Sequence, residues 1–239
     1  LEIIRLLAEA GVRRLQVGSF VNPRSVPQVA NTDVLVSLVR QQYPDILCTA
    51  LVLNEKGLER AVRSGLNHLS MSISVSDSHS RKNTGRPAAE ALESMTALIR
   101  QTVDEGVRIR AGLMCAFGCA DEGPIAEEVV LAAATRLAEA GAAEINLADT
   151  TGMAGPVQVR NLVSRIGKAL PEVELSLHCH DTCGLGLVNL YAACEAGVRI
   201  FDVAAGGLGG CPCVDDAAGN VATEEAVHLF NGMGLETGI

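Results

Sequence analysis

The sequence predicts an α/β fold, a (β/α)8 TIM barrel, on three observations. Apolar strand-like runs alternate with amphipathic helical stretches along all 239 residues. No Gly-rich dinucleotide fingerprint follows an early strand, as it would in an open nucleotide-binding sheet. The polar, Gly-rich and His-rich segments all follow strands, where a barrel gathers its active site.

The first element reads as a helix over residues 1–10, with Ile3, Ile4, Leu7 and Ala10 on one face. Strand Arg14–Gly18 follows, then a helix over 32–42 carrying Val34, Leu35, Leu38 and Val39. Strand Ile46–Leu53, a helix over 55–64 and strand His68–Ser74 continue the alternation. A helix over 88–105 leads to strand Arg108–Met114. Helices over 124–140 and 156–169 bracket strand Glu144–Leu147. Pro124 and Pro156 stand at their starts, where a missing N–H costs nothing. Strand Val173–Leu177, a helix over 186–196, strand Arg199–Val203 and a helix over 220–232 complete the chain. Most helices stop at a glycine, as in Ala10-Gly11-Val12 and Ala196-Gly197-Val198, because glycine enters the left-handed region without steric cost. Several strands read as nearly continuous apolar runs, as parallel strands covered on both faces do.

The count is seven strands and eight helices. Since a helix comes first, strand one of the barrel is expected to be missing, leaving a seam with exposed sheet edges. No linker, low-complexity tract or charge block interrupts residues 1–239, so one catalytic domain is expected. Composition is 48% hydrophobic and 20% charged, with 3% aromatics and no Trp. The core must therefore be built from Leu, Val, Ile and Ala. A net charge of −9 argues against nucleic acid, and no apolar run is long enough to span a membrane. Eight cysteines without an opening secretory signal suggest a reducing, cytoplasmic setting and no disulfides.

The densest chemistry follows strand Val173–Leu177, where His178 and His180 stand two apart and leave the strand on one side. Two such imidazoles make half of a metal site, although a lone His-x-His is more often two ordinary polar residues. The loop from Gln16 to Gln28 is stiffened by Pro23 and Pro27 and offers Arg24. Ser80-Arg81-Lys82-Asn83 is a small basic cluster after a strand, with a solvated surface as its bland reading. Arg110 lies inside a strand, which is costly unless it meets a carboxylate or another anion. Asp149, at a strand exit, suits acid–base or orienting work, or simply a turn. Gly206 to Gly210 reads as a lid carrying Cys211, and Asn220 as an N-cap or an oxygen ligand.

Phe20 to Gln28, Asp149-Thr150-Thr151-Gly152, His178-Cys179-His180-Asp181-Thr182, Gly207-Leu208-Gly209-Gly210-Cys211-Pro212 and Gly219-Asn220 together resemble the 3-hydroxy-3-methylglutaryl-CoA lyase family. That family sits within the metal-dependent lyases and synthases on (β/α)8 barrels. The resemblance runs over essentially the whole chain. It implies a divalent cation, Mg or Mn before Zn, held by His178, His180 and Asn220, with a fourth ligand, an Asp ending strand one, absent here. It implies retro-Claisen cleavage to acetyl-CoA and acetoacetate, with Cys211 as lid acid or base and His178 assisting. Asp149 and Arg110 would orient substrate or balance charge. Ser19, Asn146, Lys82 and Asn83 are the substrate-contacting candidates. An acyl-CoA thioester and further copies of the chain, in a dimer or larger homo-oligomer, are the expected partners, with neither nucleic acid nor membrane.

Two positions depart from the family. Gln16, counted with Cys211, His178, Asp149 and Arg110 among the catalytic positions, stands where a Glu is expected, and an amide can neither hold a charge nor take a proton. Asn146 stands where a smaller Ser is expected. Both raise the alternatives of another branched 3-hydroxyacyl-CoA, weak lyase activity, or a barrel that binds a CoA ester without turnover.

Overall fold

A computed structural model describes residues 1–24, 26–210 and 219–239. In chain order the elements are α1 (Glu2–Glu9), β1 (Arg14–Ser19), α2 (Thr32–Gln42), β2 (Leu47–Val52), α3 (Glu55–Arg63), β3 (His68–Ser74), α4 (Asp77–Thr84), α5 (Ala88–Asp104) and β4 (Arg108–Met114). Then come β5 (Gly118–Cys119), β6 (Gly123–Pro124), α6 (Glu127–Glu139), β7 (Glu144–Asp149), α7 (Pro156–Ala169), β8 (Glu174–Cys179), α8 (Gly186–Glu195), β9 (Ile200–Asp202) and α9 (Thr223–Gly232). Seven strands form one parallel sheet in the order β1-β2-β3-β4-β7-β8-β9. The sheet curls as a (β/α)8 barrel does. Arg14 of β1 pairs with Glu144 of β7, four strands along, which a flat sheet would hold far apart. Among the described residues β1 and β9 are the two sheet edges.

Several strands are covered on both faces, as expected, but the two faces differ in chemistry. Register sets Ala50, Leu69, Met71, Ile109, Ile145 and Leu177, all fully buried, beneath the helices. Burying each large side chain there contributes about 1.5–3 kcal/mol. The opposite parity faces the barrel axis with Thr49, Ser70, Arg110, Asn146, Ser176 and His178. The hydrophobic core is thus a shell, and the axis is polar.

Three corrections to the sequence expectation bear on the site. Ser80 to Asn83 lie in α4, not in a loop. That helix has no apolar stripe, so periodicity could not show it; it is started by the Ser76 hydroxyl, which accepts from the His79 N–H at 3.2 Å. Pro124 does not open a helix but pairs in the β5–β6 hairpin, and α6 starts at Glu127. Asn220 is not an N-cap, since α9 begins at Thr223 behind Ala222.

Candidate active site

At the exit of β8, Cys179 points into the apolar shell while His178 and His180 emerge on the axis side. Their ring centroids are 5.1 Å apart, at an interplanar angle of 65°. The His180 backbone N–H donates to the Asp149 carbonyl at 3.2 Å. His180 also forms an antiparallel bridge with Asn220, and the Val221 N–H donates to the Cys179 carbonyl. The chain returning through Gly219 is therefore laid along the end of β8. Gly219 makes this possible, with φ of 99° and a hydrogen where a Cβ would lie 2.5 Å from the Gly209 carbonyl oxygen.

Two atoms in this corner lack partners. The Asn220 amide donates to the Leu208 carbonyl at 2.9 Å, which leaves its Oδ1 buried and unsatisfied. Nδ1 of His180 is likewise buried and unsatisfied. Burial pushes the His180 imidazole down to about 4, with His178 adding to it, so the ring is neutral near pH 7 and keeps a lone pair. Orphaned buried polar atoms are costly, and a cation shared between them would satisfy both with the His180 proton on Nε2. No group of three or more His, Cys, Asp or Glu among the described residues could hold a metal. The fitting set is instead two imidazoles and one amide oxygen, a nitrogen and oxygen mixture suited to Mg or Mn with water completing the shell.

The other candidates are spread over several elements. Arg110 and Asn146 belong to the axis beneath the histidines. Arg110 is buried and pairs with Glu144 at 2.8 Å and with Asp202. Burial opposes its charge, and the two carboxylates overcome that and hold the guanidinium above its ordinary value. Asn146 donates to the Ser176 hydroxyl at 2.9 Å, and Ser176 donates to Glu144 at 2.6 Å. On β1 the pairing slips between Gln16 and Ser19. This bulge sets both on the axis side, opposite Thr49 and Leu51.

Asp149, fully buried, spends its oxygens on the backbone: Oδ1 accepts from Met153 and Oδ2 from Ala154, each at 3.1 Å. Burial pushes its carboxyl up to about 6 against those N–H groups. Lys82 and Asn83 sit on α4 at the rim, Lys82 paired with Asp121 at 2.7 Å and Asn83 reaching the Met114 sulfur at 3.9 Å. Cys211 lies outside the described residues.

Sequence reasoning passed over Glu144, Ser176 and Asp202. All three are polar groups within strands, facing the axis in the same parity as Arg110 and His178. Reading that parity across strands would have found them.

The HMGL-like family model matches residues 1–239. The chain belongs to the HMGL-like family. An (R)-citramalyl-CoA lyase of Chloroflexus aurantiacus is 41% identical over 247 residues, covering 100% of this chain and 78% of that protein. A hydroxymethylglutaryl-CoA lyase of Pseudomonas mevalonii is 38% identical, covering 99% of the chain and 78% of that protein. The solved HMG-CoA lyase of Acinetobacter baumannii, in complex with coenzyme A and 3-methylmalate, superposes with a TM-score of 0.92 at 36% identity. It covers 100% of this chain and 77% of that one. This HMGL-like chain is a carbon–carbon lyase, on the TIM barrel of its relatives. No helix among its described residues is long and apolar enough to cross a membrane.

Proposed function

We propose that the chain cleaves a 3-hydroxyacyl-CoA thioester, 3-hydroxy-3-methylglutaryl-CoA in the first instance, to acetyl-CoA and acetoacetate by a metal-dependent retro-Claisen reaction. The observation that carries the reading is the pair of orphaned atoms, His180 Nδ1 and Asn220 Oδ1, on residues joined by a backbone bridge beside His178. These three residues would hold a divalent cation. Bound there, it would lower the pKa of a coordinated substrate hydroxyl.

The chain's own residues would do the rest. The Cys211 thiol, as its thiolate, is the group assigned to proton movement, since His178 turns one ring nitrogen toward Asp202 and would give the other to the cation. The thiolate takes the proton of the tertiary hydroxyl, the carbon–carbon bond breaks, and its electrons pass to the thioester carbonyl as an enolate. Protonation of the enolate carbon then gives acetyl-CoA. Arg110 balances charge rather than gripping substrate, because Glu144 and Asp202 already occupy its fork. Asp149 holds the turn behind His180 through two backbone N–H groups.

A second reading has citramalyl-CoA as substrate, and the 41% identical citramalyl-CoA lyase supports it. That substrate carries its carboxylate directly on the carbinol carbon, and the neutral Gln16 would repel it less than a Glu. Assaying the protein with Mg or Mn against both thioesters decides between the two. Acetoacetate from the first substrate supports lyase action on hydroxymethylglutaryl-CoA, and pyruvate from the second supports citramalyl-CoA. Turnover of neither would refute both.

A further inference from the structure

We infer that Asp202, itself held by Arg110, is a positioning residue that fixes which ring nitrogen His178 presents to the barrel mouth. His178 and Asp202 are register partners on the adjacent parallel strands β8 and β9. The His178 Nδ1 lies 3.5 Å from Asp202 Oδ2, and the same oxygen takes a hydrogen bond from Arg110 Nη2. The guanidinium is anchored on its other side by Glu144 at 2.8 Å and by the Ser176 hydroxyl at 3.4 Å. Glu144 is in turn fully buried and pairs with Arg14 of β1. Asp202 therefore cannot swing away without stripping a buried cation of a partner.

A carboxylate only accepts hydrogen bonds, so the nitrogen facing it must carry the proton. Nδ1–H then points at Asp202, and the Nε2 lone pair is left for a ligand. His180 is set up differently, because its own Nδ1 has no partner. Two imidazoles two residues apart are thus prepared asymmetrically, one by an Arg-backed carboxylate and one by burial alone. Partners of this kind orient a ligating histidine and tune its affinity.

The inference rests on the metal reading for its purpose but not for its test. In metal-free protein labelled with ring 15N-histidine, at pH 8, long-range 1H–15N spectra report the tautomer of each imidazole. His178 is expected as the Nδ1–H form. Asp202→Ala is expected to move it toward the Nε2–H form, and Asp202→Glu to recover it. A purely structural role for Asp202 would lower stability and leave the tautomer alone. Mn titration followed by electron paramagnetic resonance should show affinity weakened about tenfold or more in Asp202→Ala. Finding His178 as the Nε2–H form in the unaltered protein would overturn the inference, as would an unchanged tautomer in Asp202→Ala. If the alanine variant does not fold, the tautomer of the unaltered protein decides alone. Absence of Mn binding by the unaltered protein would instead sink the metal reading, and the tautomer result would still stand.

Discussion

Arg110 and Glu144 face each other in the β4–β7 register and pair at 2.8 Å, with Glu144 wholly removed from solvent. A second arginine, Arg14, closes on the same carboxylate from β1. One acid thus neutralises two cations and ties non-adjacent strands across the axis. Removing it leaves Arg110 buried with only Asp202 to answer it.

Glu144→Ala should therefore destabilise the fold by about 3–5 kcal/mol, the usual effect of deleting one partner of a buried pair. Urea unfolding followed by circular dichroism measures it. A loss below about 1 kcal/mol would mean that the ladder does not hold the curl.

Gly152 predicts a coupling between two loops of the site. Its φ is 68°, and a Cβ there would lie 2.7 Å from Thr182 Cβ and 2.9 Å from the Thr182 backbone nitrogen. Gly152→Ala must strain the turn that Asp149 organises and push back the segment following His180. The expected result is a loss of about 1–3 kcal/mol together with weaker Mn binding. Unaltered thermal stability would show that the two loops give way freely.

The order of elements was legible because parallel strands and helix-ending glycines leave local marks. The bounds of His68–Ser74 and Arg108–Met114 follow directly from the sequence. Helix α4 was not legible, since Asp77 to Thr84 contains no apolar residue to set a period. The histidine pair and Asn220 could be picked out by type and spacing, but not their orphaned atoms, which depend on a bridge between segments 40 residues apart. Glu144 and Asp202 were hidden for the same reason. An acid in one strand acquires meaning only from the arginine in another.

His68 predicts a pH dependence. It is buried, both ring nitrogens lack partners, and burial, with Arg14 nearby, pushes it down to about 4. Between that value and about 6.5 the unfolded chain binds a proton that the folded chain refuses. Stability from this group is full above pH 6.5 and is lost as pH falls toward 4. Asp149 works in the opposite sense, because its raised carboxyl lets the folded state take a proton first. Comparing the native protein with His68→Gln cancels that contribution. The stability gap between the two should shift by about 2–3 kcal/mol between pH 7 and pH 4.5, in favour of the variant at acid pH. Parallel urea curves at both values would contradict it.

Cys211→Ala separates chemistry from binding. If the Cys211 thiol moves a proton, the variant should lose at least about 100-fold in kcat, within the range for a positioned acid or base. Mn affinity should be unchanged, because His178, His180 and Asn220 are untouched. Turnover at the native rate would remove Cys211 from the mechanism.

Gln16→Glu tests how the site chooses its substrate. The bulge in β1 sets Gln16 on the axis side with Ser19, where a carboxylate would add a negative charge near any bound acyl group. For hydroxymethylglutaryl-CoA, whose carboxylate is one methylene removed from the carbinol, the added charge should restore the family's acidic residue and raise kcat/KM. For citramalyl-CoA, whose carboxylate is attached at the carbinol itself, the same charge should repel the substrate and lower kcat/KM, through KM above all. The expected signature is a change of opposite sign for the two thioesters, by about tenfold in their ratio, a difference near 1.4 kcal/mol. Equal effects on both would show that the amide acts on something other than the substrate's carboxylate.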